Sequence, residues 1–236
     1  MKLKTVLNRV QPLSRFVYHK IQLVETDKDI RINIDITPHR QRSAQCSICE
    51  APSPGYDHEP ERTWTFVPLW GIHVVLCYPP RRVTCREHGV VVESMPWNKG
   101  KSPFCAAMMQ FLGNWARRLS WKETSTIFKV SWQAVYRSVD WMVDWGLKHR
   151  SLDGITAIGI DEIHVGHGKK SFNYLTVIYE IDVQCRRLLW VGRKRTAATL
   201  RKGLAALGKP VLNGIQYVCS DMWKAYLTVV RTRLKH

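Results

Sequence analysis

The chain has 236 residues, enough for one large domain or two to three small ones, and 45% of them are hydrophobic, which suffices to bury real cores. Its 36 Lys and Arg against 19 Asp and Glu leave a net charge of +17, more than solubility requires, and a surplus of that size points to a polyanionic partner, nucleic acid first. The sequence excludes a membrane-spanning helix, since no stretch approaches the ~20 apolar residues that one needs, and the opening Met1 to Arg9 lacks the apolar core of a secretory signal.

A basic protein of the membrane surface would need a long Lys-rich amphipathic helix or a lipidation signal, and neither is evident. The expected location is therefore the cytoplasm. Residues 1–100 carry 14 Lys and Arg against 10 acids, whereas 101–236 carry 22 against 9, so the expected DNA-facing surface lies mostly after residue 100. Seven Cys, an odd number without the dense spacing of a secreted scaffold, read as reduced thiols and a metal site.

In chain order, residues 16–36 read as a hairpin: Ile21 and Leu23 precede the turn-like Thr26 to Asp29, and Ile30, Ile32, Ile34 and Ile36 then alternate with polar residues. Ala51-Pro52-Ser53-Pro54-Gly55 interrupts any regular element, and Val74 to Tyr78 is a short strand stopped by Pro79-Pro80. Residues 1–100 are thus expected to be mainly β and loop. After Pro103 the spacing of Phe111, Leu112, Trp115 and Leu119 is helical, and the helical zone runs over 101–150. From 151 three apolar runs (155–163, 174–182, 187–191), a helical stretch at 196–207, a fourth run at 215–219 and a last helix predict the order β-β-β-α-β-α. The fold class is α+β and multidomain.

Cys46-x2-Cys49 and Cys85-x2-His88 are two half-sites, each able to offer two soft ligands to one face of a tetrahedral zinc ion. They predict a β-rich zinc finger over 46–88 with an unusually long insert of 35 residues between them. Cys77, Cys105, Cys185 and Cys219 stand in or beside apolar runs and read as core. Ser120 with Glu123 three residues on makes a capping-box pattern, and after a break at Lys129-Val130-Ser131 a second short helix follows with Ser131 as its cap. That is the layout of a DNA-reading helix-turn-helix, in which Trp132, Gln133, Tyr136 and Arg137 would face the major groove. Gln and Arg are side chains that read base edges.

Asp161 closes the first apolar run and Asp221 the fourth, so two acids are expected at the ends of buried strands. Buried carboxylates are costly unless they share a cation, and a pair of Mg²⁺ or Mn²⁺ ions can drive in-line displacement at a phosphodiester. Strand order and acid placement together match a ribonuclease-H-like arrangement. Arg193-Lys194-Arg195 with Arg201-Lys202 forms a basic run, and Lys169 and Lys170 sit between strands one and two, where they could contact phosphates. His164-x2-His167 reads as part of a turn.

Taken in order, the zinc half-sites, Pro80-Arg81-Arg82-Val83-Thr84-Cys85, Pro96-Trp97, the helix-turn-helix, Gly159-Ile160-Asp161-Glu162 and Ser220-Asp221-Met222-Trp223-Lys224-Ala225-Tyr226 resemble the DDE transposases of the ISL-three type of insertion sequence. The resemblance implies an enzyme that binds the terminal inverted repeats of its element on double-stranded DNA, as a homodimer, in the bacterial cytoplasm and on the nucleoid. It implies structural zinc, catalytic Mg²⁺ or Mn²⁺, and Asp161 and Asp221 as the first two acids of a triad, 60 residues apart. The third, a Glu on a later helix, has no counterpart in the 15 residues after Asp221, so the expectation is a truncated, incomplete ribonuclease-H-like core at 151–236 that is inactive alone. Glu162 does not replace it, because neighbouring strand residues point to opposite faces. The competing expectation is a DNA-binding regulator or repressor of transposition without catalysis.

Overall fold

The structure is a computed structural model that describes residues 2–27, 29–166, 173–182, 187–221 and 223–234. It is a mixed α/β chain with seven helices and three sheets among the described residues, in two compact units, Met1–Lys148 and His149–His236. No described helix is long and apolar enough to cross a membrane.

The first unit opens on helix α1 (Leu3–Val10), which the reading of residues 1–100 as β and loop missed. One buried residue, Leu7, anchors it, although Leu3, Val6, Leu7 and Val10 fall at the i, i+3, i+4, i+7 spacing of a helix and so marked it in the sequence. The predicted hairpin forms as β1 (Phe16–Thr26) and β2 (Asp29–Pro38), paired antiparallel, with a register shift between Tyr18 and Ile21. Ile32, Ile34 and Ile36 are buried as the period of two requires, and Ile30, beside the turn, is exposed. After β3 (Gly55–His58), strands β4 (Arg62–Leu69) and β5 (Ile72–Tyr78) complete a sheet of order β1-β2-β5-β4, in which β2 and β5 run parallel. Strands β6 (Arg81–Cys85) and β7 (Gly89–Val92) pair with β3 into a small sheet of order β3-β6-β7.

Trp64, Tyr78 and Phe16 meet Trp97 edge to face, with ring centroids 4.8–5.9 Å apart. Met108 and Leu112 of α2 (Ala106–Trp115) are buried in the same core. Each such fully buried side chain contributes about 1.5–3 kcal/mol. Helices α3 (Trp121–Ile127) and α4 (Trp132–His149) follow, and α4, at 18 residues, is longer than the expected second helix.

In the second unit β8 (Ala157–His164), β9 (Tyr174–Glu180), β10 (Leu188–Arg193) and β11 (Tyr217–Ser220) form a sheet of order β10-β9-β8-β11. β9 is antiparallel to both neighbours, and β11 is parallel to β8. Helices α5 (Ala197–Leu207) and α7 (Lys224–Arg233) bury Leu200, Leu204, Tyr226 and Val229 against Ile158, Ile160 and Ile178. Gly203 permits the close approach of α5, since an added Cβ would stand 2.6 Å from Trp190 and 2.8 Å from Ile178. The short α6 (Lys209–Gly214) was not foreseen: its Val211 and Leu212 pack partly buried against the core, and six residues are too few to show a helical period.

Candidate functional site

Cys46 and Cys49 flank a tight turn, Cys85 ends β6, and His88 lies in the turn that leads into β7. The 35 residues between the half-sites fold back as β3 to β5 and most of β6, so the two halves converge. Sγ of Cys49 stands 3.7 Å from Sγ of Cys85, and Nδ1 of His88 lies 3.6 Å from Cys85 Sγ and 3.8 Å from Cys46 Sγ. Two thiolates at ~2.3 Å from one tetrahedral ion would be about 3.8 Å apart, so this cluster can hold such an ion. Among the described residues it is the one group of three or more His, Cys, Asp or Glu so placed.

Hydrogen bonding from His88 is the main cause that brings the Cys85 thiol down to about 6. At Cys49 the Ala51 backbone hydrogen bond pulls the thiol down, but desolvation and shared hydrogen bonds with Cys85 and Cys46 outweigh it and leave the thiol above its ordinary value. Behind the cluster, Glu93 pairs across from Cys46 and is only 2% exposed. Its carboxylate accepts from the Tyr78 hydroxyl and from Nε of Arg81 at 2.9 Å. Sequence reasoning missed Glu93: nothing in Val92-Glu93-Ser94 says that this acid turns inward.

Helix α3 begins with the foreseen capping box: Ser120 Oγ accepts from the Glu123 backbone N–H at 3.2 Å, and Glu123 Oε2 accepts from the Ser120 N–H at 2.9 Å. The turn has Lys129 at φ 51°, and Ser131 Oγ accepts from the Ala134 N–H at 3.2 Å. Ala134, Val135 and Ser138 of α4 are buried, while Trp132, Gln133, Tyr136 and Arg137 share an exposed face. Trp132 stacks on Tyr136 at 5.9 Å, and both rings contact Trp121. The aromatics therefore brace the helix pair, and Gln133 and Arg137 stand beside them as exposed polar side chains.

Asp161 and Asp221 are both exposed, which corrects the expectation of buried strand-end acids. β8 runs on for three residues past Asp161, and the apolar stretch that suggested burial ends at Ile160. In the β8/β11 ladder Tyr217 pairs with Ala157 and Ser220 with Ile160, an offset of 60, and the residue that follows the last pair is an acid in each segment, Asp161 within β8 and Asp221 just past β11. Alternation puts Ile158, Ile160 and Glu162 on the face covered by α5 and α7, and Asp161 on the opposite face with Gly159 and Tyr179.

The carboxylate of Asp221 accepts from the Trp223 N–H at 3.0 Å and from Arg195 Nη2 at 3.4 Å. Arg195 also donates from Nε to Glu162 Oε1 at 2.8 Å, and its guanidinium lies 4.7 Å from the Trp223 ring centroid and 5.8 Å from that of Tyr174. The charge of Arg195 is thus engaged within the protein, and Arg193 and Lys194 are the exposed members of that basic run. Arg193 ends β10, which runs parallel to β8, and Lys194 and Arg195 follow it, so all three lie at the same end of the sheet as Asp161 and Asp221.

Asp182 accepts from the Thr156 N–H at 3.1 Å, at the start of β8 and so at the end remote from Asp161. Glu180 pairs with Arg187. Cys77 and Cys105 are buried as expected, whereas Cys219 is exposed on the edge strand β11. Lys169, Lys170, His167 and Cys185 lie outside the described residues.

Residues 158–236 match the family described as Transposase, of the DDE type named for ISL-three, and the match spans the acid pair and the helices behind it. No curated protein and no solved structure matches the chain.

Proposed function

We propose, from the match of residues 158–236 to the transposase family of the ISL-three type, that the protein recognises the terminal inverted repeats of an insertion sequence on duplex DNA and supplies Asp161 and Asp221 to a divalent-metal centre for strand cleavage and transfer. The observation that supports this reading is the β8/β11 register: its last pair is Ile160 with Ser220, and the next residue of each segment, at one sheet end, is an acid, Asp161 or Asp221. Order β10-β9-β8-β11, with helices on one face, supports a ribonuclease-H-like core. Mg²⁺ or Mn²⁺ held there would activate the attacking oxygen and stabilise the leaving one. The chain's own part is to fix Asp221 through Trp223 N–H and Arg195, to keep Asp161 open to solvent, and to set Arg193 and Lys194 beside the path of the phosphates.

Zinc is the ion proposed for Cys46, Cys49, Cys85 and His88, because three thiols and one imidazole are a soft donor set with tetrahedral spacing. Its role is structural, tying the β6–β7 hairpin to the turn at Cys46. The α3–α4 pair reads DNA through Gln133 and Arg137, with the protein acting as a homodimer on the bacterial nucleoid.

A second reading, a DNA-binding repressor of transposition, is favoured by one observation: among the described residues no third carboxylate joins Asp161 and Asp221. Mn²⁺ binding tests the metal centre, and nicking tests whether the pair suffices for catalysis. Mn²⁺ binding followed by electron paramagnetic resonance should be weak in residues 1–236 and lost in Asp161→Asn and Asp221→Asn. Nicking of a duplex bearing element ends should be absent with the pair alone, because a missing ligand worth several kcal/mol costs orders of magnitude in rate. Mn²⁺ binding unaffected by either substitution would remove the metal-centre reading.

A further inference from the structure

Beside the first turns of α4 lies a hollow of about 370 Å³ that no feature of the sequence announced. Ser131, Ala134, Arg137 and Ser138 of the α4 side line one wall, and the segment from Lys99 to Phe104 lines the other. Lys99, Lys101 and Arg137 are exposed, and none of the three forms an ion pair among the described residues. No carboxylate lines the hollow. The Lys99 ammonium is held towards α4 by the Trp141 ring, 5.9 Å from its centroid. Three like charges converging on one concavity repel one another, and an anionic guest relieves that repulsion.

We propose that this hollow seats a backbone phosphate of duplex DNA, with Lys99 and Lys101 gripping the strand that borders the groove entered by α4. The inference rests on α3–α4 as a helix-turn-helix and deepens it. When a recognition helix enters the major groove, the sugar-phosphate strands rise on both of its flanks, and contacts to them set the register of the helix without reading sequence. Arg137 belongs both to the hollow and to the exposed face of Gln133, so the phosphate seat and the base-reading face are contiguous on one helix. A small free anion is a poorer fit, because the hollow is open and its two lysines stand on a loop separate from the arginine.

The test uses residues 1–236 and a labelled duplex of about 30 base pairs, in random and in element-end sequence, titrated across a salt series. In Lys99→Gln/Lys101→Gln the slope of log affinity against log salt should fall by about 1, close to the 0.9 expected for the one phosphate that the protein no longer neutralises, with the ranking of sequences unchanged. Lys99→Arg/Lys101→Arg should restore the slope. Lys2→Gln/Lys4→Gln, two exposed lysines at α1, removes the same charge elsewhere and should move the slope by much less. A lysine-pair effect no larger than this control would overturn the proposal. If Arg137→Ala blunts sequence preference while the Lys99/Lys101 pair leaves the slope unchanged, the recognition helix stands and the hollow falls. Absence of salt-dependent duplex binding by the unaltered chain would remove both.

Discussion

Arg195 donates from Nε to the Glu162 carboxylate at 2.8 Å, and this joins an acid whose side chain is 8% exposed to a guanidinium that also reaches Asp221. Glu162 continues the apolar face of β8, opposite Thr176 of β9, and a charge there is tolerable because Arg195 satisfies it. Arg195→Gln should lower stability by about 1–3 kcal/mol, the cost of leaving one buried acceptor without its partner. Arg195→Lys should recover only part, since an ammonium cannot span both carboxylates and stack on Trp223. Urea unfolding checks this: an unchanged midpoint in Arg195→Gln would mean that the pair contributes nothing.

Glu93 is the matching point in the first unit. Glu93→Ala leaves the Tyr78 hydroxyl and Arg81 without their acceptor in a buried setting and should cost about 3 kcal/mol or more. Because Glu93 lies across from Cys46, the same substitution should weaken metal retention, and Glu93→Gln should be milder on both counts. Full metal content at unchanged stability in Glu93→Ala would refute the coupling.

The cluster should carry close to one equivalent of zinc when the protein is purified without added metal, and Cys49→Ser should lose it. Metal-free, the Cys85 thiol, at about 6, is largely ionised at pH 7, whereas Cys49, raised above its ordinary value, is protonated. Zinc uptake at pH 7 must therefore release at least one proton, from Cys49, and affinity should fall as the pH is lowered. Calorimetry in two buffers of different ionisation enthalpy measures the release; none at all would argue against a thiolate ligand set.

Asp182 gives a pH test of the second unit. Hydrogen bonds from the Thr156 hydroxyl, foremost, and from the Thr156 and Ala157 backbone hold its carboxyl below the usual carboxylate range. A group depressed on folding contributes stability that is present above its unfolded value, ~3.9, and is lost as pH falls through the folded value. Asp182→Asn should therefore melt below the parent at pH 7, and the gap should close in acid below about pH 3.9. A gap that stays constant from pH 7 to pH 2 would show that the loss is not ionic.

By itself the sequence determined the elements whose cause is local. Alternating isoleucines specified β2, Ser120 with Glu123 specified the start of α3, and paired Cys and His spacings specified the two metal half-sites, because period, capping and tight-turn ligand spacing act within a few residues. The order of strands and helices in the second unit was likewise legible, short of α6, from the lengths of its apolar runs. Tertiary structure alone decided what depends on partners far apart in the chain. It set the 60-residue register between β8 and β11, turned Glu93 inward to Tyr78 and Arg81, committed Arg195 to Glu162, and closed the loop at Lys99 and Lys101 against α4. A charged residue reads as a solvated one until its counter-charge is located, and that location is a property of packing, which no window of neighbouring residues contains.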